Sequence, residues 1–205
     1  MWLSSRWEVS SRRLWPAGST FARSRIENMH ATQIIWILTL ALTLSAALLD
    51  WRSRRIPNWL TVPALLLGVV VHTYLAGWHG ALFALEGAGL ALILLFPPVL
   101  IRALGAGDWK LMGAVGAFMG PVLILFIFFG SIFVAGLMAM VQMMRTHRVV
   151  ETFRNMIVLV RGFFSFGLKA HPQISLDNPK SLKLPFGVAV AVATLICSWA
   201  AHWTA

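Results

Sequence analysis

Carboxylates are scarce in this chain, with three aspartates and four glutamates among 205 residues. Two of the aspartates stand where long apolar stretches end or begin. Asp50 closes one in LLDWRSRRIPNWLT, and Asp108 opens another in LGAGDWKLMGAVG. A carboxylate at that depth in an apolar stretch is expensive unless it has a partner or a function. Taken singly, each reads as an interfacial cap: Asp50 paired with Arg52 or Arg54, Asp108 at the positive N-terminus of a helix or beside Lys110. Taken together they offer more. Two carboxylates within hydrogen-bond reach do not both ionise easily and so share a proton. One then serves as general base on a water, and the other as general acid toward an amide. Gly105 and Gly107 suit this chemistry, because they remove side chains where an extended peptide backbone would approach, and Gly107 permits a sharp entry into the helix.

The elements that must position these residues are membrane-spanning helices. With 59% hydrophobic and 12% charged residues, the chain lies outside the soluble globular range, so the fold class expected is all-α, a polytopic membrane bundle. A crossing needs about 20 apolar residues, and the runs 56–101 and 111–144 are too long for one crossing each. Gly77 and Gly80 offer a turn in the first, and Gly120-Pro121 in the second. About six spans result, at 31–50, 59–77, 81–101, 109–120, 121–141 and 184–203. The fourth rises only about 18 Å, so it is expected to be short, re-entrant or immersed in the bundle. Gly113, Gly116 and Gly120 line it, a device for close backbone approach between helices. Residues 149–169 place apolar side chains at helical spacing and read as an interfacial amphipathic helix or a packed linker.

Basic residues give an independent orientation. Twelve Lys and Arg lie beyond residue 30, and all fall in the loops after spans one, three and five. The positive-inside rule places those loops in the cytoplasm, and with them both Asp50 and Asp108. The first residues do not fit, since Arg6, Arg12, Arg13, Arg23 and Arg25 would lie on the far side. Residues 1–30 are therefore read as a basic, disordered head with Met29 as an alternative start, and 31–205 as one integral-membrane domain.

Several function classes are excluded. The net charge of +10 resides in loops flanking spans, where it sets topology and meets anionic lipid rather than nucleic acid. The single Cys197 provides neither a disulfide framework nor a thiolate zinc site, and the six histidines form no HExxH. No metal and no cofactor is expected.

The segment GAGDWKLMGAVGAFMG resembles the GxGD motif region of the prepilin peptidases, the aspartyl proteases that act as type IV prepilin leader peptidases. DWRSRRIPNWLT is similar to that family's first aspartate with its Ile-Pro-Asn-x-Leu-Thr element. The resemblance covers about residues 31–141, with an echo of a Pro-Phe-Gly segment in LPFGVAVA, where Val188 stands in place of a frequent proline. It implies that Asp50 and Asp108 are catalytic and that Gly105, Gly107 and Lys110 complete the second motif. It also implies a multi-pass protein of the bacterial cytoplasmic (inner) membrane. Its substrates would be prepilins or pseudopilins whose basic leader ends in glycine before a hydrophobic helix. The chain lacks the paired cysteines and the length of the methyltransferase region that larger members carry, so it looks like the short form of Tad/Flp-type pilus systems.

Two readings from other classes stand beside this one. A proton-coupled transporter also places carboxylates in a bundle, although nearer the midplane. A non-catalytic membrane scaffold of a pilus or secretion system requires neither aspartate.

Overall fold

A computed structural model describes residues 18–100, 104–146 and 185–204, and among these all regular structure is helical. Four helices follow one another: α1, Gly18–Ser53; α2, Asn58–Leu100; α3, Ala106–Thr146; and α4, Phe186–Thr204. Each contains a stretch long and apolar enough to cross a membrane. The chain is thus a multi-pass membrane protein with four helical elements, against about six expected spans. The difference lies in α2 and α3, whose 43 and 41 residues correspond to about 65 and 62 Å of helix, twice the hydrocarbon thickness of about 30 Å.

Both long helices are broken at a glycine, which in α3 is followed by proline. In α2 the non-helical residues are Ala76 and Gly77, with Gly77 at φ 59. In α3 the break is Gly120 at φ 72, immediately before Pro121. Both glycines occupy the left-handed region that a side chain disfavours. At the first break the chain reverses. His72 and Phe83 would be about 16 Å apart along a straight helix, yet their ring centroids lie 5.2 Å apart. A Cβ on Gly80 would collide with the His72 carbonyl.

Side chains are sorted inside out relative to a soluble core. The buried set is dominated by small residues, among them Ala46, Ala84, Ala88, Ala91, Ala114, Ala117, Ala189 and Ala193, while Leu48, Ile93, Phe126 and Phe133 face outward. Lipid is as apolar as leucine, so helices associate through close packing rather than hydrophobic exclusion. Exposed tryptophans form two belts: Trp51 and Trp59 at one end, Trp78, Trp199 and Trp203 at the other. Trp59 and Trp78 are about 28 Å apart along a helix axis, the spacing of the two interfaces of a bilayer.

The first part of α3 is the centre of the bundle, with every residue from 111 to 120 buried. It is held on one side by the first half of α2 and the turn leading into it, where Gly68 meets Ala117 and Ile56 meets Gly107. On the other side the second half of α2 runs antiparallel to it: Leu92 meets Gly113, and Gly87 meets Gly116 backbone to backbone. A Cβ on either of those last two glycines would enter the other's backbone. The short fourth stretch is therefore immersed in the bundle, and its glycines are what let two helices flank it.

Helix α1 reaches back to Gly18, into the stretch expected to be disordered; no proline follows Pro16 to stop it. The amphipathic stretch 149–169 and residues 1–17 lie outside the described residues.

Candidate functional site

Asp50 stands in the last turn of α1, and the way that helix stops fixes where its carboxylate goes. Arg54 adopts φ 50, and its N–H donates to the Asp50 carbonyl at 2.8 Å. This is a left-handed helix stop, for which glycine is the usual residue. The chain then turns through Ile56 and Pro57 into α2. The Asp50 side chain is 6% exposed, a costly burial for a carboxylate unless hydrogen bonds receive it. Its Oδ2 accepts the Gly187 N–H at 2.8 Å, at the first turn of α4, where free amides and the helix dipole favour an anion. A side chain at Gly187 would crowd the carboxylate, since a Cβ would lie 3.1 Å from both Cβ and Oδ2 of Asp50.

Asp108 occupies the first turn of α3. Gly105 precedes the helix, and its carbonyl accepts the Trp109 N–H at 3.2 Å. The Asp108 carboxylate turns back to the Gly105 amide, as the third residue of a helix often does toward its cap. A Cβ at Gly105 would stand 3.0 Å from Asp108 Oδ2. The other oxygen, Oδ1, is buried and has no hydrogen-bond partner among the described residues. Capping thus explains one half of this carboxylate and leaves the other half unexplained.

The two aspartates meet at one end of the bundle, and Ile56 is the residue between them. It contacts Gly107, the neighbour of Asp108, and also Gly187, the partner of Asp50. The carboxylates lie close enough for the charge of Asp50 to act on Asp108. Three helix ends therefore converge here: the C-terminus of α1 and the N-termini of α3 and α4.

Lys110 goes elsewhere. Its Nζ donates to Asn58 Oδ1 at 3.0 Å, tying the first turn of α3 to the first turn of α2 rather than to either aspartate. Trp109 clamps the same turn from the other side. Its indole Nε1–H donates to the Leu92 carbonyl at 2.7 Å, and its ring lies 6.3 Å from that of Phe96. Asp108 is thus held between two flanking side chains anchored to opposite halves of α2. Gly187, Asn58 and Trp109 were not among the site residues expected from sequence. The LPFG segment marked the first; the pairings of the others join positions 52 and 17 residues apart and have no local signature.

Among the described residues no group of three His, Cys, Asp or Glu stands together to hold a metal ion. The arrangement offers paired carboxylates, backbone amides and bare glycines, a set suited to acid–base chemistry on an extended peptide.

Neither the curated proteins nor the solved structures give a match. A family model does: that of the type IV leader peptidase family matches residues 36–140, which is 105 of 205 residues and spans both aspartates. The chain belongs to that family of membrane leader peptidases.

Proposed function

We propose that the protein is a membrane-embedded aspartic endopeptidase. It removes the basic leader, after glycine, from type IV prepilins or pseudopilins of the Flp type, at the cytoplasmic face of the bacterial inner membrane. The observation that carries this reading is the meeting of Asp50 and Asp108 around Ile56, with one buried oxygen of Asp108 left unpaired. In this reading α2 and α3 each cross the bilayer twice, reversing at their glycine breaks, and residues 31–205 form the peptidase domain. The loops that carry Lys and Arg then share one side with both aspartates.

One carboxylate takes a proton from a water as the water oxygen bonds to the scissile carbonyl carbon. The other, protonated, gives its proton to the amide nitrogen as the C–N bond breaks. The products are the leader's new carboxylate and the mature chain's amine, and a proton exchanged with solvent restores the pair. A membrane-inserted substrate helix presents its cytoplasmic end at the depth of the two aspartates. A glycine before the cut keeps that end extended, and Gly105 and Gly107 leave room for it.

The test is cleavage of a substrate with a basic leader, a glycine and one apolar helix, by enzyme in membranes. Asp50→Asn and Asp108→Asn each abolish cleavage, by about 10³-fold or more because each role needs a carboxyl that changes protonation, and leave membrane insertion intact. Substantial processing by either variant would remove the aspartates from the mechanism. Asp177, which lies outside the described residues, serves as the control and tolerates Asn.

A further inference from the structure

Ile56 stands against both halves of the site, and nothing in the acid–base chemistry uses it. Its carbonyl oxygen, Cβ and N lie 3.0 to 3.4 Å from the place a Cβ on Gly107 would take. Its Cδ1 lies 3.3 Å from the place a Cβ on Gly187 would take, and Oδ2 of Asp50 lies 3.1 Å from that same place. The residue thus reaches from the neighbour of Asp108 to the amide that receives Asp50. Two glycines allow it, because neither has a side chain to hold the isoleucine away from a carboxylate.

The side chain is held in place. It is 8% exposed and belongs to the same buried cluster as Leu111 and Met112. Branching at Cβ restricts its χ1, and Pro57 confines the residue before it to extended backbone. The Leu60 N–H on the Pro57 carbonyl, at 3.2 Å, opens α2 directly after it, and the Lys110–Asn58 bond ties that turn to the first turn of α3. Ile56 therefore cannot be pushed aside without moving the start of a helix. Between the two aspartates it is a wall.

We propose that Ile56 is the specificity-determining residue of the site, and that its side chain is what restricts the residue before the cut to glycine. The inference rests on the aspartic-peptidase reading above. One carboxyl has to reach the attacking water and the other the amide nitrogen, so the scissile bond lies between the aspartates and against Ile56. The Cα before the cut is bonded to the attacked carbonyl carbon, and a Cβ on it starts only about 2.5 Å from that carbon. Such a Cβ has the isoleucine to displace; glycine has none. A clash with the wrong substrate is as effective a source of specificity as a contact with the right one. Ile56 takes no part in proton transfer.

The experiment gives full-length enzyme in lipid vesicles three peptides that share a basic leader and an apolar helix and carry glycine, alanine or valine before the cut. The readout is kcat/KM for each. The wild type prefers glycine to alanine by about 10-fold or more, the scale on which a pocket senses one methyl group, and rejects valine further. Ile56→Ala brings glycine and alanine to within about threefold of each other, by removing most of that discrimination, and admits valine. Ile56→Val removes only Cδ1, shifts the ratio part of the way, and serves where the smaller variant fails to fold. The ratio is decisive because a loosened fold lowers all three values together, whereas a removed wall raises alanine and valine against glycine. Unchanged ratios in both variants, or a wild type without preference for glycine, overturn the proposal. So does an unchanged ratio in Ile56→Val where Ile56→Ala is inactive. Asp108→Asn on the glycine peptide separates the two levels. If it cleaves, the peptidase assignment itself falls; if it is inactive while the ratios of the Ile56 variants are unchanged, only the role of Ile56 falls.

Discussion

The two ends of the bundle handle polar groups in opposite ways. Toward the end bearing Trp78 and Trp203, His72 Nε2 meets the Phe118 carbonyl at 2.8 Å, and the Gly87–Gly116 crossing brings two backbones together without a side chain between them. The hydroxyls along the spans there and in the middle, Thr43 and Ser131 among them, are bonded within their own helices. At the aspartate end a carboxylate is buried against α4, another carboxylate keeps an unpaired oxygen, and a threonine keeps an unpaired hydroxyl. Tight and fully satisfied packing is what stability selects. Where it is relaxed at two buried atoms and kept elsewhere among the described residues, the exception marks the part of the molecule that interacts with something else.

If that division is right, substitutions in the packed half act on stability and those at the aspartate end act on cleavage. Gly116→Val has the largest expected effect. Its side chain would enter the Gly87 carbonyl, and backbone cannot yield as a flexible side chain does, so the cost is about 3 kcal/mol. A melting curve in detergent should show a large drop, while the cleavage rate per folded molecule holds. A melting temperature like that of the wild type would mean that the crossing is looser than this geometry.

Gly187→Ala reverses the pattern. The added Cβ would stand 3.1 Å from Asp50 Oδ2 and 3.3 Å from Ile56 Cδ1, contacts that give by a few tenths of an ångström. Melting should change little. Cleavage should fall by about 10-fold, since displacements well under 1 Å of a reacting group already weaken catalysis. Unchanged cleavage would mean that the α4 amide does not set the position of Asp50.

How much of this was legible in the sequence follows the same division. The break points at Gly77 and Gly120-Pro121 were readable, because a glycine and a proline inside an over-long apolar run have a local conformational meaning. The stretch 109–120, too short to cross alone, was expected to be short, re-entrant or immersed, and its burial agrees with the last of these. Asp50 and Asp108 stood out because charge is rare in such runs. The backbone departs from helical geometry at Ala76, Gly77 and Gly120, inside or next to the expected turns. The contacts that complete the site were not readable. Gly187 reaches Asp50 across 137 residues, and Lys110 reaches Asn58 across 52. Long-range pairings of this kind are decided by helix register, which no single segment encodes.

Lys110 is the clearest case of a residue whose partner differs from its sequence neighbour. Two residues from Asp108, it looked suited to tune that carboxylate, whereas its ammonium bonds Asn58 instead. The pair is exposed, so its contribution is modest, about 0.5 to 1 kcal/mol. Lys110→Gln and Asn58→Ala should each slow cleavage by about two- to fivefold, on that energy scale, by loosening the first turn of α3 against α2. Because they break the same contact, the double variant should be no slower than the more impaired single variant. The pH profile should stay in place in all three. If Lys110→Gln alone shifts the profile and the two effects multiply, the lysine acts on Asp108 through its charge, and the bond to Asn58 is incidental.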